Sequence, residues 1–109
     1  MLLSKTKISF KLLLGIWNLE ITDDAEKLLV NNKKCGGSIV YKERTIYIDS
    51  SLTNDFQQVL LHELTHAVLY ETQLQLSNSY TEEDMCEFVG KYGGLIWSVY
   101  LNIVEEIER

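Results

Sequence analysis

The residues best equipped for chemistry are His62-Glu63-Leu64-Thr65-His66, an H-E-x-x-H run inside Gln57-Gln58-Val59-Leu60-Leu61-His62-Glu63-Leu64-Thr65-His66-Ala67-Val68-Leu69. Residues four apart on an α-helix share a face, so both imidazoles point the same way. Two imidazoles so placed can share one tetrahedral zinc ion, with a third protein ligand and a water completing the shell. Glu63 follows the first imidazole and can reach that water as a general base without binding the metal. The chain has two histidines, and both lie in this motif. A helix whose histidines bind nothing is the competing reading. Against it stands the apolar pattern Phe56, Val59, Leu60, Leu64, Ala67 and Val68, in which unpaired imidazoles would be costly to bury. The expectation is one Zn2+ per chain.

The elements that must position this motif fit one domain. At 109 residues and 46% apolar content the chain can bury a single core. A net charge of -6 and a pI near 4.8 argue against nucleic-acid or anionic-membrane partners, which call for basic patches. There is no proline, linker, repeat or low-complexity run. Lys5 and Lys7 before Ile8–Trp17 faintly echo a signal peptide, but Lys11 interrupts the apolar run and no small-residue cleavage site follows. No segment approaches the roughly 20 apolar residues of a membrane span. Cys35 and Cys86 lack metal-site spacing and read as free thiols of a reducing compartment. The expectation is a soluble, cytoplasmic protein.

The opening predicts a β-hairpin, with Ile8, Phe10, Leu12 and Leu14 alternating before Gly15, and Trp17, Leu19 and Ile21 alternating after it. A helix over Ser4–Leu14 competes with it. Thr22-Asp23-Asp24 predicts the cap of a short helix through Val30, and Asn31–Lys34 a loop. After Gly36-Gly37, Ser38–Tyr41 and Thr45–Asp49 read as strands joined by a turn at Lys42-Glu43-Arg44. The motif helix runs to Glu71 or Thr72, and a loop over Gln73–Tyr80 follows. Thr81 then caps a long amphipathic helix with apolar positions at Met85, Phe88, Val89, Tyr92, Leu95, Ile96, Val99, Ile103 and Ile107. Gly90, Gly93 and Gly94 inside it predict either close approach to the motif helix or a break.

With no further histidine, a third zinc ligand has to come from this last helix, where Glu82, Glu83, Asp84 and Glu87 are available. Glu83 is preferred, because Cys86, Gly90 and Gly93 or Gly94 form with it a stripe of small side chains able to lie close to the motif helix. Glu82 is the runner-up, sharing a face with Met85 and Val89. Glu87 would accept a hydrogen bond from a ligand imidazole.

Ile46-Tyr47-Ile48-Asp49, then Gln58–Val68 with its H-E-x-x-H, then Glu83-Asp84-Met85-Cys86-Glu87-Phe88-Val89, resembles the small phage and prophage members of the ImmA/IrrE metallopeptidase family. The resemblance covers about two-thirds of the chain, from Gly36-Gly37 onward. In that family the later helix carries Glu-x-x-(small)-(acid or Asn), which Glu83, Cys86 and Glu87 fit. The Phe-Ala that follows is matched loosely by Phe88-Val89 or Val89-Gly90, which leaves the register between Glu82 and Glu83 open. The family's Leu-Leu-x-Pro run is absent.

The resemblance implies an α+β, minimal zincin-like fold, with a small antiparallel or mixed twisted sheet packed on the active-site helix and a C-terminal ligand-bearing helix. It implies a zinc-dependent endopeptidase acting on a specific protein such as a phage or mobile-element repressor. A protein or peptide substrate would add as a strand along an exposed sheet edge. Gly37, Ser38, Ile39, Val40 and Tyr41, or Thr45–Asp49, are the candidates for that edge. Tyr80 and Tyr92 are candidates to stabilise the developing oxyanion. Two rival readings are a zinc-binding interaction module without proteolytic activity and a structural protein with a fortuitous motif.

Overall fold

The computed structural model describes residues 6–74 and 79–109. The expected loop over Gln73–Tyr80 therefore lies partly outside the described residues, as does the start of the competing helix over Ser4–Leu14.

Alternation of apolar and polar residues makes β1 (Thr6–Lys11) and β2 (Ile16–Thr22) an antiparallel hairpin. The helical alternative for this segment is excluded from Thr6 onward. The strand ends at Lys11, earlier than the alternation through Leu14 predicts. Leu12 to Gly15 form the turn, closed by the Leu12 N–H to the Gly15 carbonyl at 3.0 Å. The N–H groups of Leu13 and Leu14 turn away from the ladder to the Glu71 carboxylate.

The helix expected through Val30 is a single 3-10 turn at Ala25–Leu28, capped by Asp24. A short hairpin of β3 (Leu29–Val30) and β4 (Lys33–Lys34) replaces the rest. Its two-residue loop, Asn31-Asn32, has positive φ at both positions (54° and 64°), the backbone of a type I′ turn that asparagine tolerates.

β5 (Gly37–Val40) and β6 (Thr45–Asp49) form a second antiparallel pair, joined by a 3-10 turn at Tyr41–Glu43 and Arg44 in the left-handed region. Tyr41 thus sits in the turn and not in the strand. β6 pairs in parallel with β2, which makes a mixed sheet of order β1-β2-β6-β5. Of the two segments nominated for substrate pairing, β5 is an edge. β6 is interior, so Thr45–Asp49 has both sides of its ladder occupied.

One face of the sheet is apolar: Trp17, Leu19, Ile21, Ile46 and Ile48 are fully buried. The other is polar and carries the ion pairs of Glu20 with Lys7 and Lys27. Two helices cover the apolar face. The first, α1 (Phe56–Thr72), buries Phe56, Leu60, Leu64, Ala67 and Val68. The second, α2 (Glu82–Glu108), begins with the expected Thr81 cap, in which Thr81 and Asp84 exchange side-chain-to-backbone hydrogen bonds. It runs unbroken through Gly90, Gly93 and Gly94, so the expected break does not occur. Phe88, Ile96, Val99, Tyr100 and Ile103 form its buried side, while Met85 and Val89, expected in the core, are exposed. The fold is α+β, and no described helix is long and apolar enough to cross a membrane.

Candidate metal centre

The motif helix presents three faces with three tasks. Leu60, Leu64 and Ala67 face the sheet, Leu61, Thr65 and Leu69 line a groove shared with α2, and His62 and His66 face a cleft beside β5. The two Nε2 atoms converge to 3.1 Å. Two nitrogens about 2.0–2.1 Å from one zinc at a tetrahedral angle stand roughly 3.3–3.4 Å apart, so the pair fits a shared ion. The same separation suits a hydrogen bond between one neutral imidazole and the other.

Glu63 lies beneath this pair and is 6% exposed. Its Oε1 is 4.0 Å from His62 Nε2, and its Oε2 is buried with no hydrogen-bond partner among the described residues. An orphaned carboxylate oxygen costs about 1–3 kcal/mol, more when charged, unless something absent here satisfies it. The donor set His62, Glu63 and His66, with ligand atoms within 4.8 Å of one another, fits a metal with an attached water. Burial holds the Glu63 carboxyl above its usual pKa, opposed by the His62 charge. Burial, and then His62, hold His66 below the usual imidazole value, which lessens proton competition for that ligand.

The cleft has a volume of about 540 Å³, and Gly36, Gly37, Ser38, Ile39 and Tyr41 form the wall opposite the helix. Gly37 explains how that wall comes so close. A Cβ there would lie 2.7 Å from Val59 Cγ1, 3.1 Å from Ile48 Cδ1 and 3.2 Å from Glu63 Cγ, so β5 can press onto Glu63 only without a side chain. Ser38 faces the other way and donates to the Lys27 carbonyl at 2.6 Å.

The acids of α2 stand outside this group. Glu82, Glu83 and Glu87 are exposed in its first two turns, and no α2 carboxylate belongs to the cluster found among the described residues. The reason for preferring Glu83 is also overturned. Cys86, Gly90 and Gly94 are exposed, and a Cβ at Gly90 or Gly94 would meet nothing within 4 Å. Cys86, Gly90 and Gly94 therefore face solvent and not α1, because the large residues Phe88, Ile96, Val99 and Ile103 set the helix's rotation; Gly93 lies at the margin, lining the groove shared with α1. Residues 18 apart, five turns of about 3.6, share a direction. Glu82 is in line with buried Tyr100, whereas Glu83 is in line with exposed Leu101. Rotation favours Glu82 as the acid able to turn inward. Glu87 lines a separate groove with Asp84, Lys91 and Tyr92.

Tyr80 and Tyr92, the candidates for the oxyanion, line the grooves beside α2 and not the histidine cleft. Tyr41 is the tyrosine in the cleft. A second residue that sequence reasoning missed is Glu71, whose carboxylate accepts hydrogen bonds from Leu13 N, Leu14 N, Trp17 Nε1 and Arg44 Nη1. The signal was available: Glu71 is four residues after Ala67 and seven after Leu64, an acid on the buried stripe. No protein family, curated protein or solved structure matches this chain.

Proposed function

We propose that the chain is a small zinc-dependent endopeptidase of the ImmA/IrrE kind. The observation that carries this reading is the buried, unpartnered Glu63 Oε2 beneath two converging imidazoles. His62 and His66 would hold the ion, and an acid from the first turn of α2, Glu82 or Glu83, would complete the protein ligands. Zinc held there supplies Lewis acidity, polarising the scissile carbonyl and bringing the pKa of a bound water toward about 7. Glu63 takes the proton of the attacking water and delivers it to the leaving amine. The outer edge of β5 offers main-chain groups to an extended substrate, directly across the cleft from Glu63. The substrate would be a specific protein, such as a phage or mobile-element repressor.

Exposure of the α2 acids favours, as a second reading, a zinc-binding interaction module without hydrolysis. Incubating the zinc-loaded chain with candidate DNA-binding repressors separates the two. The peptidase reading predicts a defined cut, read by mass spectrometry, that a chelator stops. Stable binding with no cut would favour the module.

The third ligand has its own test, competition for zinc against a chromogenic chelator. Glu82→Ala is expected to lose more than the roughly 10- to 100-fold that an outer partner costs, and Glu83→Ala less. The reverse order would place Glu83 in the shell despite its outward rotation. If neither substitution matters, neither Glu82 nor Glu83 is the third ligand.

A further inference from the structure

An endopeptidase must stabilise the negative charge that develops on the scissile carbonyl oxygen, and a donor for this has to lie on the same cleft as the general base. Tyr41 is placed for it. It belongs to the turn that follows β5, so the backbone that would pair with the substrate leads directly into it. Tyr41 lines the cleft with His62, Glu63 and His66. Its ring is stacked on Tyr70 at 4.8 Å between centroids and 24° between planes. Tyr70 is one turn beyond His66 on α1, and Trp17 packs edge-on against it at 6.1 Å. An aromatic stack anchored on the motif helix thus holds the Tyr41 ring in a fixed place relative to the histidines.

The Tyr41 hydroxyl has no hydrogen-bond partner among the described residues, although the ring is half-buried. The other tyrosine hydroxyl beside the sheet, that of Tyr47, is turned to Glu43 on the far side. Resting on the endopeptidase reading, we propose that Tyr41 is the oxyanion donor of this site, giving a hydrogen bond to the scissile carbonyl oxygen as it gains charge. The phenol keeps its proton throughout and no bond to it is made or broken. Burial, and then the Glu63 charge, hold its pKa above the ordinary phenol value, which keeps it a donor at neutral pH.

The test compares zinc-loaded wild type and Tyr41→Phe, which keeps the ring and its stacking on Tyr70. Two quantities are read for each: zinc affinity by chelator competition, and affinity for a phosphinic tetrapeptide, whose tetrahedral anion mimics the charged oxygen. Tyr41→Phe is expected to hold zinc like the wild type and to bind the phosphinate about 10- to 100-fold more weakly, the size of a hydrogen bond to a charged group. Tyr92→Phe, altered in a different groove, is expected to change neither. Should Tyr41→Phe disturb the fold, seen as an altered melt, 3-fluorotyrosine at position 41 serves instead. Its stronger donor should bind the phosphinate at least as tightly as the wild type, and weaker binding would count against the proposal. Equal phosphinate affinity of wild type and Tyr41→Phe, both zinc-loaded, overturns the role of Tyr41 and leaves the endopeptidase reading standing. A wild type that binds neither zinc nor phosphinate overturns both.

Discussion

Glu63→Gln is expected to lower peptide hydrolysis by about 100- to 10,000-fold while leaving zinc affinity and the fold intact. Gln fills the same space but cannot accept the proton of the attacking water. The substitution should not unfold the chain, and the sign can be worked out. A carboxyl whose folded pKa is raised contributes stability that is present below its unfolded pKa and is lost as pH rises through the folded value. Above that value the charged Glu63 of the metal-free protein is a cost, which the neutral amide removes. The expected result is an equal or higher melting temperature of the metal-free variant with little or no cleavage. Wild-type cleavage by the variant would remove Glu63 from the mechanism.

The second large effect is on stability. Glu71→Ala is expected to cost about 3 kcal/mol or more, because each buried donor it leaves unpaired costs about 1–3 kcal/mol, while the partly exposed Arg44 adds little. The Glu71 side chain has no exposure, and its loss orphans two backbone N–H groups, the Trp17 indole N–H and the Arg44 guanidinium together. A domain of this size has about 5–15 kcal/mol in all, so the variant sits near the threshold of folding. Urea denaturation of wild type, Glu71→Ala and Glu71→Gln measures it, and Gln, which keeps one acceptor oxygen, should lie between. A loss under about 1 kcal/mol for Ala would mean that water replaces the carboxylate and the clasp is not structural. The consequence reaches the cleft, because the clasp holds Trp17 against Tyr70 and Tyr70 carries Tyr41.

The parts legible in the sequence were those that depend on local pattern. The first two strands follow the alternation of apolar residues, β5 and β6 follow their β-branched and aromatic content, α1 follows the spacing of Leu60, Leu64 and Ala67, and the α2 start follows Thr81 and its acids. The parallel pairing of β2 with β6 was not legible, since pairing partners are set by packing between distant segments. The Asn31-Asn32 hairpin was missed because two residues of positive φ override a weak helical pattern. The packed side of α2 was misjudged for a related reason. Glycine spacing suggested a packed face, but a helix turns to bury its bulk, and Phe88, Val99 and Ile103 outweigh Gly90 and Gly94. At the site, the histidine pair and Glu63 came from spacing alone. Tyr41 did not, because only the stack on Tyr70 and the close pass of β5 at Gly37 bring it to the cleft.

The proposed function depends on a metal at His62 and His66, and elemental analysis tests that most directly. Protein made without a histidine tag, reconstituted with zinc and freed of excess ion, is measured beside His62→Ala and His66→Ala. The account predicts close to one zinc per wild-type chain and loss of that zinc in both variants. Zinc retained at wild-type stoichiometry by both variants, or none bound by the reconstituted wild type, would contradict it.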